Sequence, residues 1–251
     1  MNKLFDLAMD IGEQMLVSGA EVHRVEDSLD RILHAMGACR VDVFIITSSM
    51  VVTVHTENGD TLTQTRRIKD TGIDYDRLHK LNALSRKICS ERLSADEIEN
   101  ALGRIVEARQ YPRWLIVICY SLIAGAFTLF FGGDIFEAAV SLLVGLVVSF
   151  VVFACDVMVK NKIFTKFMSS LVATALAIAA FSIGIIPDID KVIIGNIMTL
   201  VPGIGLTNAI RDLFVGDSIA GILRTIEACL IALAITAGYF VSIFFLGGAM
   251  I

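Results

Sequence analysis

Between positions 200 and 228 the sequence reads LVPGIGLTNAIRDLFVGDSIAGILRTIEA, and it concentrates more ionisable and hydrogen-bonding groups than any apolar segment around it. Pro202 removes a backbone donor and Gly203 relaxes the helix beside it, so amides and carbonyls there lose their intrahelical partners. Such a break is the kind of place where transporters bind small ions, because half-helix ends present oriented dipoles. Asn208 and Asp212 follow four apart and share a helical face, with Arg211 beside them. Arg224 and Glu227 stand three apart at the start of the next apolar run. An ionisable group inside a span costs at least about 2.5 to 3.5 kcal/mol, so Glu227 needs a partner or a function, and Arg224 or Arg211 is the expected counter-ion. Both arginines also fit as simple basic anchors at a membrane face. Asp156, one turn before Lys160, reads as an interfacial residue.

A second charged stretch, SGAEVHRVEDSLDRI, lies at positions 18 to 32. Its apolar stripe of Val22, Val25, Leu29, Ile32, Leu33 and Met36 collects on one face at 3.6 residues per turn. Glu21 and Glu26 fall at the margins of that stripe, Arg24 far round on the outer face, and Ser18-Gly19 at a tight helix junction before it. Glu26 sits near enough to the buried face to seek a partner. His23, Asp27, Asp30 and His34 share a side, but no cysteine or carboxylate cluster closes a metal site there, so they read as solvated surface. A hydrolase using His23 with Ser18 or Ser28 lacks a readable nucleophile elbow or oxyanion loop.

The elements that position these residues divide in two. The chain has 251 residues, 55% hydrophobic and 19% charged, with a net charge of −5 and a mean hydropathy of +0.73. Residues 1–113 hold 15 of the 21 basic and 18 of the 26 acidic side chains. The front part, 1–112, therefore reads as a soluble α+β domain: helices over 3–17 and to about Met36, then two or three strands in VDVFIIT, MVVTVHTE and TLTQTRRI around the Asn58-Gly59 turn signal. Helices return over about 74–90 and from the Ser94/Glu97 capping box to about Gln110. The rear part, 113–251, reads as five transmembrane helices at about 114–131, 135–159, 163–186, 192–210 and 222–246, each judged against the roughly 20 apolar residues that cross a bilayer. Lys160, Lys162 and Lys166 lie in one loop and Arg211 and Arg224 in another, while the GGD loop has no basic residue. This bias places the amino terminus in the cytoplasm and the carboxyl terminus outside. Acidic net charge without a dense basic tract argues against nucleic acid. The five scattered cysteines carry no metal or disulfide pattern, and Asp6, Asp10 and Glu13 interrupt any export signal.

SGAEVHRVEDSL and the 200–228 segment together resemble the signature of the threonine/serine exporter family, over essentially the whole chain. The matching positions are Ser18, Gly19, Ala20, Glu21, Arg24, Val25 and Glu26 in front, and Pro202, Gly203, Asn208, Arg211, Asp212, Gly216, Asp217, Gly221, Arg224 and Glu227 behind. The resemblance implies an α-helical integral membrane protein of the cell (inner) membrane. It implies a proton-motive-force-driven exporter of small amino or carboxylic acids, with no enzymatic activity, cofactor or metal. Single-chain members carry about ten spans, so a chain of five resembles the split form. In that form a second membrane subunit supplies the remaining spans, and the substrate is threonine, serine or a dicarboxylate such as succinate. Asn208, Arg211, Asp212, Arg224 and Glu227 are then expected to form the substrate or proton path. A reading from another class is a membrane-anchored sensor or assembly subunit whose soluble domain binds ligand or partner.

Overall fold

The computed structural model describes residues 2–69, 71–91, 93–108 and 111–247. It divides into two compact units, Met1–Arg109 with Leu206–Thr225, and Gln110–Gly205 with Ile226–Ile251. The amino-terminal unit is thus discontinuous in sequence, drawing in a segment from the far end of the chain.

In that first unit α1 (Asn2–Val17) and α2 (Val22–Ala35) pack on a three-stranded antiparallel meander of β1 (Ala38–Ile46), β2 (Ser49–Thr56) and β3 (Thr61–Arg67). β2 is a strand in which every second residue turns inward, burying Met50, Val52 and Val54 on one side. Gly59 takes the positive φ that the turn after Asn58 requires. Against this layer lie α3 (Tyr75–Ser90), capped by Asp74, and α4 (Ala95–Val106), which opens on the Ser94/Glu97 capping box. α4 stops at Val106, short of the expected Gln110; residues 109 and 110 lie outside the described residues. The common core joins Phe5, Met9, Ile11, Met15, Leu29, Ile32 and Leu81.

The second unit contains α5 (Arg113–Phe130), α6 (Ile135–Met158), α7 (Lys162–Ser182), α8 (Ile189–Met198) and most of α10 (Ser218–Leu246). Four helices, α5, α6, α7 and α10, are long and apolar enough to cross a membrane. α8 and α9 (Gly203–Val215) make a fifth candidate only as a pair bent by 54° at the break. The expected spans shift at their ends for local reasons. α7 ends at Ser182 instead of 186, where Gly184 turns the chain with φ +76°. α8 starts at 189 because the Asp188 side chain accepts the Asp190 amide, and α10 begins four residues earlier than its apolar run.

Packing within this unit relies on small residues and on side-chain hydroxyls. A Cβ on Gly145 would come within 2.9 Å of the Ala124 Cβ, so α5 and α6 approach at glycine. Thr128 donates to Ser141 at 2.6 Å, and the Asn196 amide donates to the same Ser141 hydroxyl at 2.7 Å, joining α5, α6 and α8 through fully buried groups. Ser170 and Ser242 bond the carbonyls of Ile235 and Leu171 between α7 and α10. Leu143, Phe150 and Phe244 instead point outward. An apolar outer surface with the polar groups turned inward is what lipid contact selects.

Gly145→Leu is expected to separate α5 from α6 and abolish the folded peak in detergent size-exclusion chromatography. Gly103→Ala on α4, where an added methyl meets nothing within 4 Å, is expected to raise the stability of the first unit by about 0.5–1 kcal/mol.

Candidate functional site

The first unit brings the two charged stretches together. α1 ends in a Schellman motif: Ala20 N–H donates to Met15 O and Gly19 N–H to Leu16 O, both at 3.0 Å, and Gly19 takes φ +89°. A Cβ on Gly19 would lie 2.7 Å from the Gly72 carbonyl oxygen, so only glycine fits the close approach of the segment leading into α3. Three successive residues then bind α9 and the first turns of α10. The Ala20 carbonyl accepts from Arg224 Nη2 at 2.8 Å. The Glu21 carboxylate accepts from Arg211 Nη1 at 2.8 Å. The Val22 N–H donates to the Asp212 carboxylate.

Asp212 is therefore the acceptor at the amino terminus of α2, which has no side-chain cap from its own Glu21. Its carboxylate is 1% exposed and faces Arg224, which is 16% exposed, with Oδ2 and Nη1 3.2 Å apart. Oδ2 has no hydrogen bond of good geometry, so this contact is Coulombic, while the directed bond of the guanidinium goes to Ala20. Arg211, 61% exposed, forms a more solvated pair with Glu21, itself 16% exposed.

The α9–α10 turn is shaped to make this possible. Gly216 adopts φ +108°, and Asp217 N–H donates to Asp212 O at 2.9 Å. A Cβ on Gly221 would meet the Leu213 side chain at 2.6 Å. Asp217 leaves Oδ2 buried without a hydrogen bond. Glu26 on α2 accepts the Ile45 N–H at 3.0 Å, so the partner it seeks is a strand amide. Burial, and then the nearby Asp217 charge, push its carboxyl above the usual carboxylate range, partly offset by the Ile45 bond and His23.

A cavity of about 170 Å³ opens beside this junction, lined by Gly19, Glu21, Arg24, Tyr75, Asn82 and Asn208 over an apolar base. Arg24 does lie on the outer face of α2, but α3 packs there and makes that face one wall of the cavity. Tyr75 and Asn82 carry no signal in the sequence, since they reach the cavity only through the α2–α3 packing.

The remaining expected residues are placed differently. Pro202 and Gly203 precede and open α9 and belong to the second unit, as does Glu227. The expectation that Arg224 or Arg211 neutralises Glu227 is corrected: Glu227 lies 3.4 Å from Lys162 Nζ on α7, while the two arginines engage Asp212 and Glu21. Among the other surface candidates, Asp27 pairs with Arg31 at 2.9 Å, and Ser28 donates its hydroxyl to Arg24 O. Asp156 accepts from Thr165 at 3.5 Å.

The chain matches the model of a family described as putative threonine/serine exporter over residues 6–246. It is 23% identical over 244 residues to a probable threonine/serine exporter of Mycobacterium tuberculosis, a match covering 96% of this chain and 46% of that protein. It is 25% identical over 225 residues to the probable succinate transporter subunit YjjP of Klebsiella aerogenes, covering 89% of this chain and 86% of that subunit. It is 23% identical over 237 residues to the pheromone-regulated membrane protein 10 of Saccharomyces cerevisiae, covering 89% of this chain and 30% of the yeast protein. The chain thus spans just under half the length of the first of these relatives. No solved structure matches it.

Removing one partner of a buried ion pair strands the other charge, at a cost of about 3–5 kcal/mol, whereas an exposed pair contributes about 1 kcal/mol or less. Arg224→Gln is expected to lower thermal stability severely and Arg211→Gln only slightly, measured by melting of the detergent-purified chain. Glu26 gives a pH signature of defined sign. With a folded pKa above the unfolded one, the folded state holds more protons between the two, so stability falls as pH rises from the ordinary carboxylate range through the raised value. Glu26→Gln keeps the acceptor for Ile45 and is expected to remove this decline in melting temperature.

Proposed function

Because the chain belongs to the putative threonine/serine exporter family, we propose that it is one subunit of a secondary exporter of small amino or carboxylic acids. The observation that carries this reading is a difference in coverage. The same chain accounts for 46% of a relative named as an exporter and for 86% of a relative named as a transporter subunit. A second membrane subunit then supplies the remaining spans, and the proton-motive force drives export across the cell membrane. Residues 1–112 form a cytoplasmic α+β domain, and the rear residues form five spans with the amino terminus inside, in keeping with the basic residues of the loops.

In this reading the first unit contributes Gly19, Glu21, Arg24, Glu26, Asn208, Arg211, Asp212 and Arg224 to substrate handling at the cytoplasmic entrance. Asp212 and Arg224 hold the entrance in shape, and Glu21 and Arg24 face the cavity. The break at Pro202 and Gly203 supplies half-helix dipoles in the membrane. Glu227, paired with Lys162, is the carboxylate placed to take part in proton transfer. The alternative of a membrane-anchored sensor is favoured by one observation, the polar cavity of the first unit.

Proteoliposomes holding the full chain, with and without the second subunit, separate the two. Flux of threonine, serine or succinate under an imposed pH gradient is expected only with both subunits, and a protonophore abolishes it. Arg224→Ala and Glu227→Gln are each expected to lower that flux by about tenfold or more, equivalent to ~1.4 kcal/mol of lost stabilisation. Unchanged flux in both variants at equal membrane levels would remove these residues from the path. Ligand binding without flux in either preparation would establish the sensor instead.

A further inference from the structure

The second unit buries a carboxylate that no cation answers. Glu137, on the first turn of α6, is 3% exposed, and no lysine, arginine or histidine lies within ion-pair distance of it among the described residues. Backbone amides hold both of its oxygens instead. Oε2 accepts from the Asp134 N–H at 2.9 Å, which closes the capping box of α6. Oε1 accepts from the Asp188 N–H at 3.0 Å, and Asp188 is the cap residue of α8. One carboxylate thus fastens the amino termini of two helices, whose positive dipole ends favour its charge. The capping glutamate of α4, Glu97, is exposed and reaches only its own Ser94, so capping by itself accounts for neither the burial nor the second loop. One turn further along α6, Ser141 accepts from Asn196, so α8 is tied to α6 at both places and only the tie at Glu137 can titrate. The segments around Glu137 carry Asp134, Asp188, Asp190 and Lys191. Lys191 faces Asp188 Oδ2 at 3.8 Å, so that cation is engaged by another acid.

We propose that Glu137 is a proton-accepting residue of the second unit, and that loading it with a proton releases the amino terminus of α8 from α6. A proton from the medium adds to one carboxylate oxygen. That oxygen becomes a hydroxyl donor, so it no longer accepts the N–H it faced, and the neutral acid keeps one amide bond. The bond to Asp134 lies within the first turn of α6, whereas the bond to Asp188 joins separate loops and closes the longer stretch of chain. The Asp188 bond is therefore the one given up. α8 is then free to pivot on Ser141 and Asn196, and its far end runs into the break at Pro202. An ionisable group inside a membrane bundle commonly marks a proton relay. The proposal deepens the exporter reading and rests on it only for coupling: with the amino terminus inside, this end of α6 faces outward, where the protons that drive export enter.

Hydrogen exchange of the full chain in lipid vesicles, read by mass spectrometry and corrected for the intrinsic pH dependence of amide exchange, tests it. Protection of the Asp188 amide is expected to fall about tenfold on acidification, as loss of one hydrogen bond to a charged group implies. The Ile163 and Phe164 amides, capped by the Asn161 side chain, which does not titrate, are the reference and stay constant. Glu137→Gln has the shape of the neutral acid and is expected to show the low protection at every pH. Asp134→Asn keeps a cap on α6 and retains the pH response. Constant protection of Asp188 in the wild type, or the same decline in Glu137→Gln, overturns the inference, and the wild-type titration decides even where the variant does not fold. In proteoliposomes with the proposed second subunit, Glu137→Gln is expected to lose about tenfold or more of the flux driven by a pH gradient and to keep substrate counterflow without a gradient. Equal losses in the two assays, or none, overturn its place in coupling. An Asp188 amide that titrates in a wild type without flux upholds the proton site and counts against export.

Discussion

The buried carboxylate of Asp212 is the constraint on which the first unit is organised. A carboxylate removed from water must be neutralised and hydrogen-bonded, or it costs several kcal/mol. Here Arg224 supplies the charge and the Val22 amide at the head of α2 supplies a hydrogen bond. Satisfying this single group ties the start of α2 to the middle of α9 and the second turn of α10, two consecutive helices at the far end of the chain. Everything near the cavity inherits its position from that arrangement, including Glu21 and Arg24, one and four residues on from Ala20.

The glycines around this junction follow from the same demand. Gly19 lets α1 end and the chain reverse beneath the Gly72 carbonyl, and Gly216 turns α9 into α10. Gly221 brings α10 against Leu213 closely enough for the Arg224 guanidinium to reach the α1–α2 junction. The two charged stretches that resemble the family's signature therefore meet largely in one packed junction and the cavity beside it. The second unit follows a different logic. Several of its buried hydroxyls and amides hydrogen-bond to one another between apolar helices, as with Thr128, Ser141 and Asn196.

Local structure was legible in the sequence wherever a period or a cap decided it. The α2 stripe, the Asn58-Gly59 turn, the Ser94/Glu97 cap and the helix break at Pro202 all appear where spacing put them. The pairings were not legible, because they join residues on different helices, from Asp212 and Arg224 across the α9–α10 turn to Glu21 and Arg211 at opposite ends of the chain. Arg224 and Glu227 stand three apart on α10, which suggested that they or Arg211 neutralise each other, yet each takes a partner from another helix. Arg24 was correctly set on the outer face of α2, but whether that face meets solvent or a cavity depends on where α3 packs, which no local pattern encodes. Likewise, nothing in the apolar runs marked Leu206–Thr225 as folding with the first hundred residues.

The central claim is that Asp212 and Arg224 act as one unit in holding the family's two charged stretches together for export. A double-mutant cycle on export rate, using Asp212→Asn, Arg224→Gln and the pair in cells that also express the proposed second subunit, tests it most directly. The account predicts that each single change impairs export strongly and that the double variant is no worse than the poorer single one. Losses that simply multiply in the double variant would show that the two residues act independently, and would contradict it.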